Sequence, residues 1–90
     1  MLTISYSARF KKDFHVIEKR GYDTMLLEKV LEILCTEQVL PAKYRDHVLT
    51  GNFSGHRECH ITPDWLLIDK IEEHELLLSL TRTGTHSDLF

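Results

Sequence analysis

Cysteine, proline, glycine and tryptophan are all scarce in this chain, and each scarcity removes a class of protein. Two cysteines, Cys35 in an apolar helical pattern and Cys59 beside His60, make no spaced framework of the kind that staples small secreted domains. Both are read as reduced thiols. With two prolines and four glycines there is no linker or low-complexity tract, and no internal repeat is visible. Residues 1–90 are therefore expected to form a single domain with one core. No apolar run approaches the roughly 20 residues a membrane span requires. The first segment interleaves Arg9, Lys11, Lys12 and Lys19 with Phe10 and Phe14, unlike the unbroken apolar stretch of a signal peptide. A cytoplasmic protein with no membrane partner is the expectation. An excess of positive charge is lacking too: the net charge of −3 argues against binding nucleic acid by bulk electrostatics.

The charge distribution softens that last exclusion. Residues 1–45 carry eight Lys/Arg against six Asp/Glu, and residues 46–90 carry three against eight. The acidic half also holds five of the six histidines: His47, His56, His60, His74 and His86. An imidazole, with an unperturbed pKa of about 6.5, can act as acid and as base near neutrality. The first half reads as adhesive and the second as chemical.

Hydrophobic periodicity supplies the fold class. Leu2 to Ser5 alternates as a short strand, and Ser5 or Ser7 can cap a helix from Ala8 to Arg20 whose apolar face is Phe10, Phe14 and Ile17. Gly21 ends it. Asp23 or Thr24 opens a second helix carrying Leu26, Leu27, Val30, Leu31, Ile33 and Leu34 to about Gln38, with Pro41 as the stop. The short turn between the two makes them an antiparallel hairpin. Strands are expected over His56–Ile61, Trp65–Ile71 and Glu75–Leu80, the last with Leu76, Leu78 and Leu80 on one side. The order β-α-α-β-β-β predicts an α+β domain, with the hairpin on one face of a mostly antiparallel four-stranded sheet and a site on the other.

Three polar clusters fall at strand ends or in loops: Arg45-Asp46-His47, His60 with Asp64 and Trp65, and Arg82 with His86. Cleavage of an RNA phosphodiester needs a base for the 2′-hydroxyl, an acid for the leaving 5′-oxygen, and a cation or strong donor for the phosphoryl oxygens. Histidines and arginines supply all three without a metal or cofactor. An aspartate can fix an imidazole's orientation, and Trp65 or Phe90 can stack on a base. A metal site is disfavoured. On a strand His56, Glu58 and His60 share a face while Cys59 points away, so His56, Cys59 and His60 cannot readily converge on one ion, and a site of His47, His56 and His60 is geometrically possible but has no regular motif spacing. His15 and His74 are read as solvated bystanders. Taken singly, each of these residues also has an ordinary structural reading, and Leu89 with Phe90 could simply pin the C-terminus.

The segments Tyr44-Arg45-Asp46-His47-Val48-Leu49-Thr50-Gly51, Gly55 to Ile68 (including Cys59-His60-Ile61-Thr62-Pro63-Asp64-Trp65) and Arg82-Thr83-Gly84-Thr85-His86-Ser87-Asp88-Leu89-Phe90 resemble, in that order, the YafQ branch of the RelE/ParE toxin superfamily. The resemblance covers essentially the whole chain. It implies a bacterial type II toxin, an endoribonuclease that cuts mRNA in the A site of the 70S ribosome and is restrained by a cognate antitoxin. By position, His47, His60, Asp64 and His86 match the family's catalytic set, with Arg45, Trp65, Arg82 and Phe90 in substrate contacts. The roles implied are His86 as general acid, His60 or His47 as base, Asp64 as orienter, Arg82 as phosphate clamp and Phe90 as stacking platform. The alternative within the fold is a ParE-like gyrase inhibitor, for which converging imidazoles have no use. Two positions depart from the family pattern: Val48 where proline is usual, and Asp69 where tyrosine is common.

Overall fold

A computed structural model describes residues 1–90 and shows five strands and three helices: β1 (Thr3–Tyr6), α1 (Ala8–Lys19), α2 (Thr24–Cys35), β2 (His47–Val48), β3 (Arg57–Thr62), β4 (Trp65–Glu72), β5 (Leu77–Gly84) and a single-turn α3 (His86–Leu89). Strands β2 to β5 form an antiparallel meander, and β1 joins it parallel to β5, giving the order β1-β5-β4-β3-β2. The α+β class and helix hairpin are as expected. The four-stranded sheet becomes five-stranded because His47 and Val48 pair with Glu58 and Arg57. No helix is long and apolar enough to cross a membrane.

Local chemistry sets the helix ends. Ser7 caps α1: its Oγ accepts from the Phe10 N–H at 2.9 Å and donates to the Thr81 carbonyl at 2.9 Å, so the cap also ties the helix to β5. Asp23 caps α2 through the Met25 N–H at 3.0 Å. Helix α2 stops at Cys35, short of Gln38, because Glu37 turns left-handed (φ 59°) and the N–H groups of Glu37 and Gln38 bond back to the carbonyls of Leu34 and Ile33. This closure satisfies the last carbonyls before Pro41 is reached.

Spacing on the two helices turns Phe10, Ile17, Leu27, Val30 and Leu34 onto one face of the sheet, where they meet Trp65, Leu67, Cys59, Leu78 and Leu80. Burying a side chain of this size contributes roughly 1.5–3 kcal/mol, so this layer dominates stability. The opposite face carries a smaller cluster of Leu66, Ile68 and Leu89, against which Leu49 and Phe53 pack. Strand β4 is thus sandwiched. The last strand starts later and runs further than expected. Leu76 is exposed in a left-handed turn (φ 53°) instead of sharing a face with Leu78 and Leu80, and β5 continues to Gly84.

One carboxylate sits inside the main layer. Asp69 is 1% exposed and neither carboxylate oxygen has a hydrogen-bond partner. Arg57, opposite it on β3, spends its Nε on Asp46 at 3.1 and 3.2 Å. Burial, with Asp46 adding to it against a weaker pull from Arg57, pushes the Asp69 carboxyl up to about 7. In the unfolded chain the group ionises near pH 3.9, so between about pH 4 and 7 the folded state binds the extra proton. Stability then falls as pH rises through that window, by about 1.4 kcal/mol per pH unit at most. Asp69→Asn is expected to remove this slope. Denaturant titrations at pH 4, 6 and 8 check it; an unchanged slope in the variant would refute the assignment.

Candidate active site

Antiparallel register lays two rows of side chains across the face opposite the helices. His47 on β2 lies opposite Glu58 on β3, Glu58 opposite Ile68 on β4, and Ile68 opposite Arg82 on β5. His60 lies opposite Leu66, which lies opposite Gly84. Because strand side chains alternate, Glu58 and His60 necessarily share this face. Ahead of His47, Arg45 adopts a left-handed conformation (φ 49°) that aims its carbonyl at the ring: His47 Nδ1 donates to it at 2.7 Å. A carbonyl only accepts, so Nδ1 carries the hydrogen and Nε2 faces into the row, 3.4 Å from Glu58 Oε1.

The C-terminal turn brings the third histidine in. Thr85 caps α3 reciprocally: its Oγ1 accepts from the Asp88 N–H at 3.2 Å, and Asp88 Oδ2 accepts from the Thr85 N–H at 2.8 Å. Arg20, just past the end of α1, grips the same carboxylate with two bonds of 2.7 and 3.0 Å. The Arg20 guanidinium, helped by the Thr85 N–H, holds the Asp88 carboxyl well below the usual carboxylate range. Leu89 is buried on Leu66 and Ile68. His86 is therefore fixed between a buried leucine and a capped turn. Its ring packs on Phe90 with centroids 5.0 Å apart, and Phe90 meets Phe53 edge-on at 5.9 Å.

An open cleft of about 470 Å³ results, lined among others by Tyr22, His60, Asp64, Leu66, His86 and Ser87. Three of the four expected catalytic side chains, His60, Asp64 and His86, border it. His47 stands beside them, its ring centroid 6.4 Å from that of His60. No three His, Cys, Asp or Glu side chains are grouped so as to hold a metal ion.

The expected substrate contacts fare differently. Trp65 is 1% exposed, donates its Nε1–H to Thr83 Oγ1 at 2.8 Å and meets Tyr22 edge-on, so it packs in the core and offers no face to a base. Arg82 is held by Asp13 through bonds of 2.6 and 3.2 Å, which leaves Nη1 as its unbonded donor edge. The Arg45 side chain is exposed beside His47. Phe90 is 56% exposed, so it both supports His86 and presents ring surface. Asp64 makes no bond to an imidazole; the carboxylate next to His60 and His47 is Glu58, at 3.8 and 3.4 Å. Sequence reasoning missed Glu58, Asp13 and Arg20. Only Glu58 had left a signal, its alternation with His60.

Residues 2–90 match the family described as "Bacterial toxin of type II toxin-antitoxin system, YafQ". The chain is 41% identical over 88 residues to the mRNA interferase toxin YafQ of Escherichia coli K12, covering 97% of this chain and 94% of that one. Its fold superposes on a metal-bound toxin from Helicobacter pylori with TM-score 0.94 and 49% identity, each chain covered completely. It also superposes on the E. coli DinJ-YafQ complex with TM-score 0.89 and 40% identity, over 100% of this chain and 99% of that one.

Gly84 has no room for a side chain. A Cβ there would stand 2.9 Å from Asp88 Oδ2 and 3.0 Å from Asp88 Cβ. Gly84→Ala is expected to cost about 1–3 kcal/mol and to loosen the capped turn. Amide exchange of residues 85–90 should accelerate several-fold while that of β3 and β4 does not. Equal protection in variant and parent would show that the turn tolerates the methyl group.

Proposed function

The chain belongs to the YafQ family of toxins from bacterial type II toxin-antitoxin systems, and from that premise we propose that it is an endoribonuclease that cleaves mRNA on the ribosome and thereby stops translation. The observation that carries this reading is the convergence of His60, Asp64 and His86 on one cleft with His47 alongside. His60 or His47 takes the proton from the 2′-hydroxyl, which attacks the adjacent phosphorus. His86 protonates the departing 5′-oxygen, leaving a cyclic phosphate on one product. Arg82, fixed by Asp13, turns its free Nη1 edge to the phosphoryl oxygens, where its charge counts most as negative charge builds. Phe90 contributes stacking area for a base beside His86, a role for which Trp65 is too deeply buried.

A cognate antitoxin is the expected partner, in keeping with the DinJ-YafQ assembly of the E. coli relative. The A site of the translating ribosome is the proposed place of action, because a bound message there is single-stranded and can be splayed against the cleft.

His86→Ala is expected to lower cleavage by about 10²–10⁴-fold, the span of a general acid's contribution, without loss of antitoxin binding. A 2′-deoxy or 2′-O-methyl nucleotide at the cut position should block the reaction, and EDTA should not. Mapping message ends in a translating extract reads all of this. Cleavage of the 2′-deoxy substrate would overturn the proposed attack, and growth arrest with intact messages would favour the gyrase-inhibiting alternative.

A further inference from the structure

Tyr22 is the one carbocyclic aromatic ring lining the cleft that holds His60, Asp64 and His86, and no step of the proton transfer uses it. The end of α1 puts it there. Gly21 turns left-handed (φ 78°), the Gly21 N–H bonds back to the Glu18 carbonyl at 3.0 Å, and the Tyr22 N–H to the Ile17 carbonyl at 3.3 Å. The backbone of Tyr22 is therefore set by the closure of the helix. Two neighbours set the ring. Trp65 meets it with centroids 5.3 Å apart and planes at 75°. The Tyr22 hydroxyl lies close enough to Arg20 to add to the pull with which Asp88 raises that guanidinium above its ordinary value. Tyr22 nevertheless stays partly exposed where Trp65 is buried. Ring surface that the tryptophan withholds from the cleft is offered by the tyrosine packed against it.

Phe90 packs on His86 and on Phe53, and neither phenylalanine lines this cleft. His86 thus stands between two aromatic surfaces, Phe90 on one side and the cleft wall of Tyr22 on the other. We propose that Tyr22 is a substrate-binding residue of the nuclease reaction: its ring stacks on the nucleobase at one side of the scissile phosphate while Phe90 takes the base at the other. Holding two neighbouring bases on separate rings unstacks them. The backbone between them is then free to bring the 2′-hydroxyl in line with the phosphorus and the leaving 5′-oxygen, an alignment that continuous stacking in a helical strand opposes. The cleft, at about 470 Å³, falls in the size range of sites that enclose a small ligand. Every base has a π-face, so such a platform adds affinity without choosing a sequence. A ring already fixed by Trp65 and Arg20 loses little freedom when a base lies on it.

The inference rests on the ribonuclease reading, and the experiment separates the two. Cleavage is followed on 70S ribosomes programmed with an unmodified message, and Kd is measured on ribosomes whose message carries 2′-O-methyl groups in the A-site codon, which block the attack and keep the bases. Tyr22→Met retains the volume of the side chain without a π-face, and Tyr22→Phe retains the ring without the hydroxyl. Tyr22→Met is expected to raise Kd and to lower kcat/KM by about 5–100-fold, the loss of one stacked base, while Tyr22→Phe stays within about threefold of the parent. An abasic nucleotide at one of the two positions flanking the cut should cost the parent the same loss, and on that message Tyr22→Met should lose nothing further. A side chain that only packs on Trp65 would show equal losses on intact and abasic messages. That result, or an unchanged Kd in Tyr22→Met, overturns the role of Tyr22 alone. A parent chain that binds the programmed ribosome and leaves the unmodified message intact overturns the ribonuclease reading, and the Kd comparison then still decides whether Tyr22 holds a base. A parent that does not bind overturns both. Should Tyr22→Met fail to fold, 5-iodouridine placed beside the cut position decides on the parent chain: a photo-crosslink to Tyr22 is expected, and crosslinks that map elsewhere, or none, would sink the proposal.

Discussion

His86, the proposed general acid, keeps its geometry only if its four-residue helix is tied down, and this constraint shapes much of the protein. Leu89 supplies the apolar tie, buried on Leu66 and Ile68 on the face the helix hairpin leaves open. Asp88 supplies the polar one, gripped by Arg20 and closing the Thr85 cap. Neither would suffice alone. One leucine contributes only a few kcal/mol, and a solvent-screened ion pair at the surface less, whereas the two together fix both the position and the rotation of a four-residue helix. The sandwiching of β4 follows, since a strand that anchors helices on one side and the C-terminal turn on the other must be apolar on both.

The arginines follow a similar logic. Arg20, Arg57 and Arg82 are each committed to an aspartate: Asp88, Asp46 and Asp13. Each pair joins segments distant in sequence around the active face, tying α1 to α3, the His47 segment to β3, and α1 to β5. The planar guanidinium suits this work because its fork matches a carboxylate at two points. A consequence is that few cations near the cleft are free for phosphate. Attraction over distance must come from exposed cations such as Arg9, Lys11 and Lys12 on α1. A net charge of −3 is compatible with an RNA substrate because the charge is unevenly spread, with eight Lys/Arg against six Asp/Glu in residues 1–45 and the acidic excess confined to residues 46–90.

What could be read from the sequence divides along physical lines. The helix hairpin and the three long strands were legible because each repeats an apolar period several times over. The two-residue β2 and the one-turn α3 were not, for a period cannot be seen in two or four residues; the chemistry-bearing segments around them were found through resemblance instead. Trp65 was misjudged as a base platform. Its neighbour Asp64 is indeed exposed at the β3–β4 turn, but the tryptophan is claimed by Tyr22 and Thr83, from segments about forty and twenty residues away.

Asp64 and Glu58 show why proximity in sequence is a poor guide to which carboxylate serves a histidine. Asp64 lies four residues from His60 across a turn, and that turn carries it to the rim of the cleft, where it bonds no imidazole. Glu58 lies two residues from His60 on the same strand, and the strand's alternation points it the same way. What the strand alone does not reveal is that His47 arrives opposite, through a two-residue pairing whose register is held by Asp46 on Arg57. The local sequence therefore sets the face, and a short non-local pairing sets the partner. Function enters at that second step, because a carboxylate shared between two imidazoles exists only in the folded sheet.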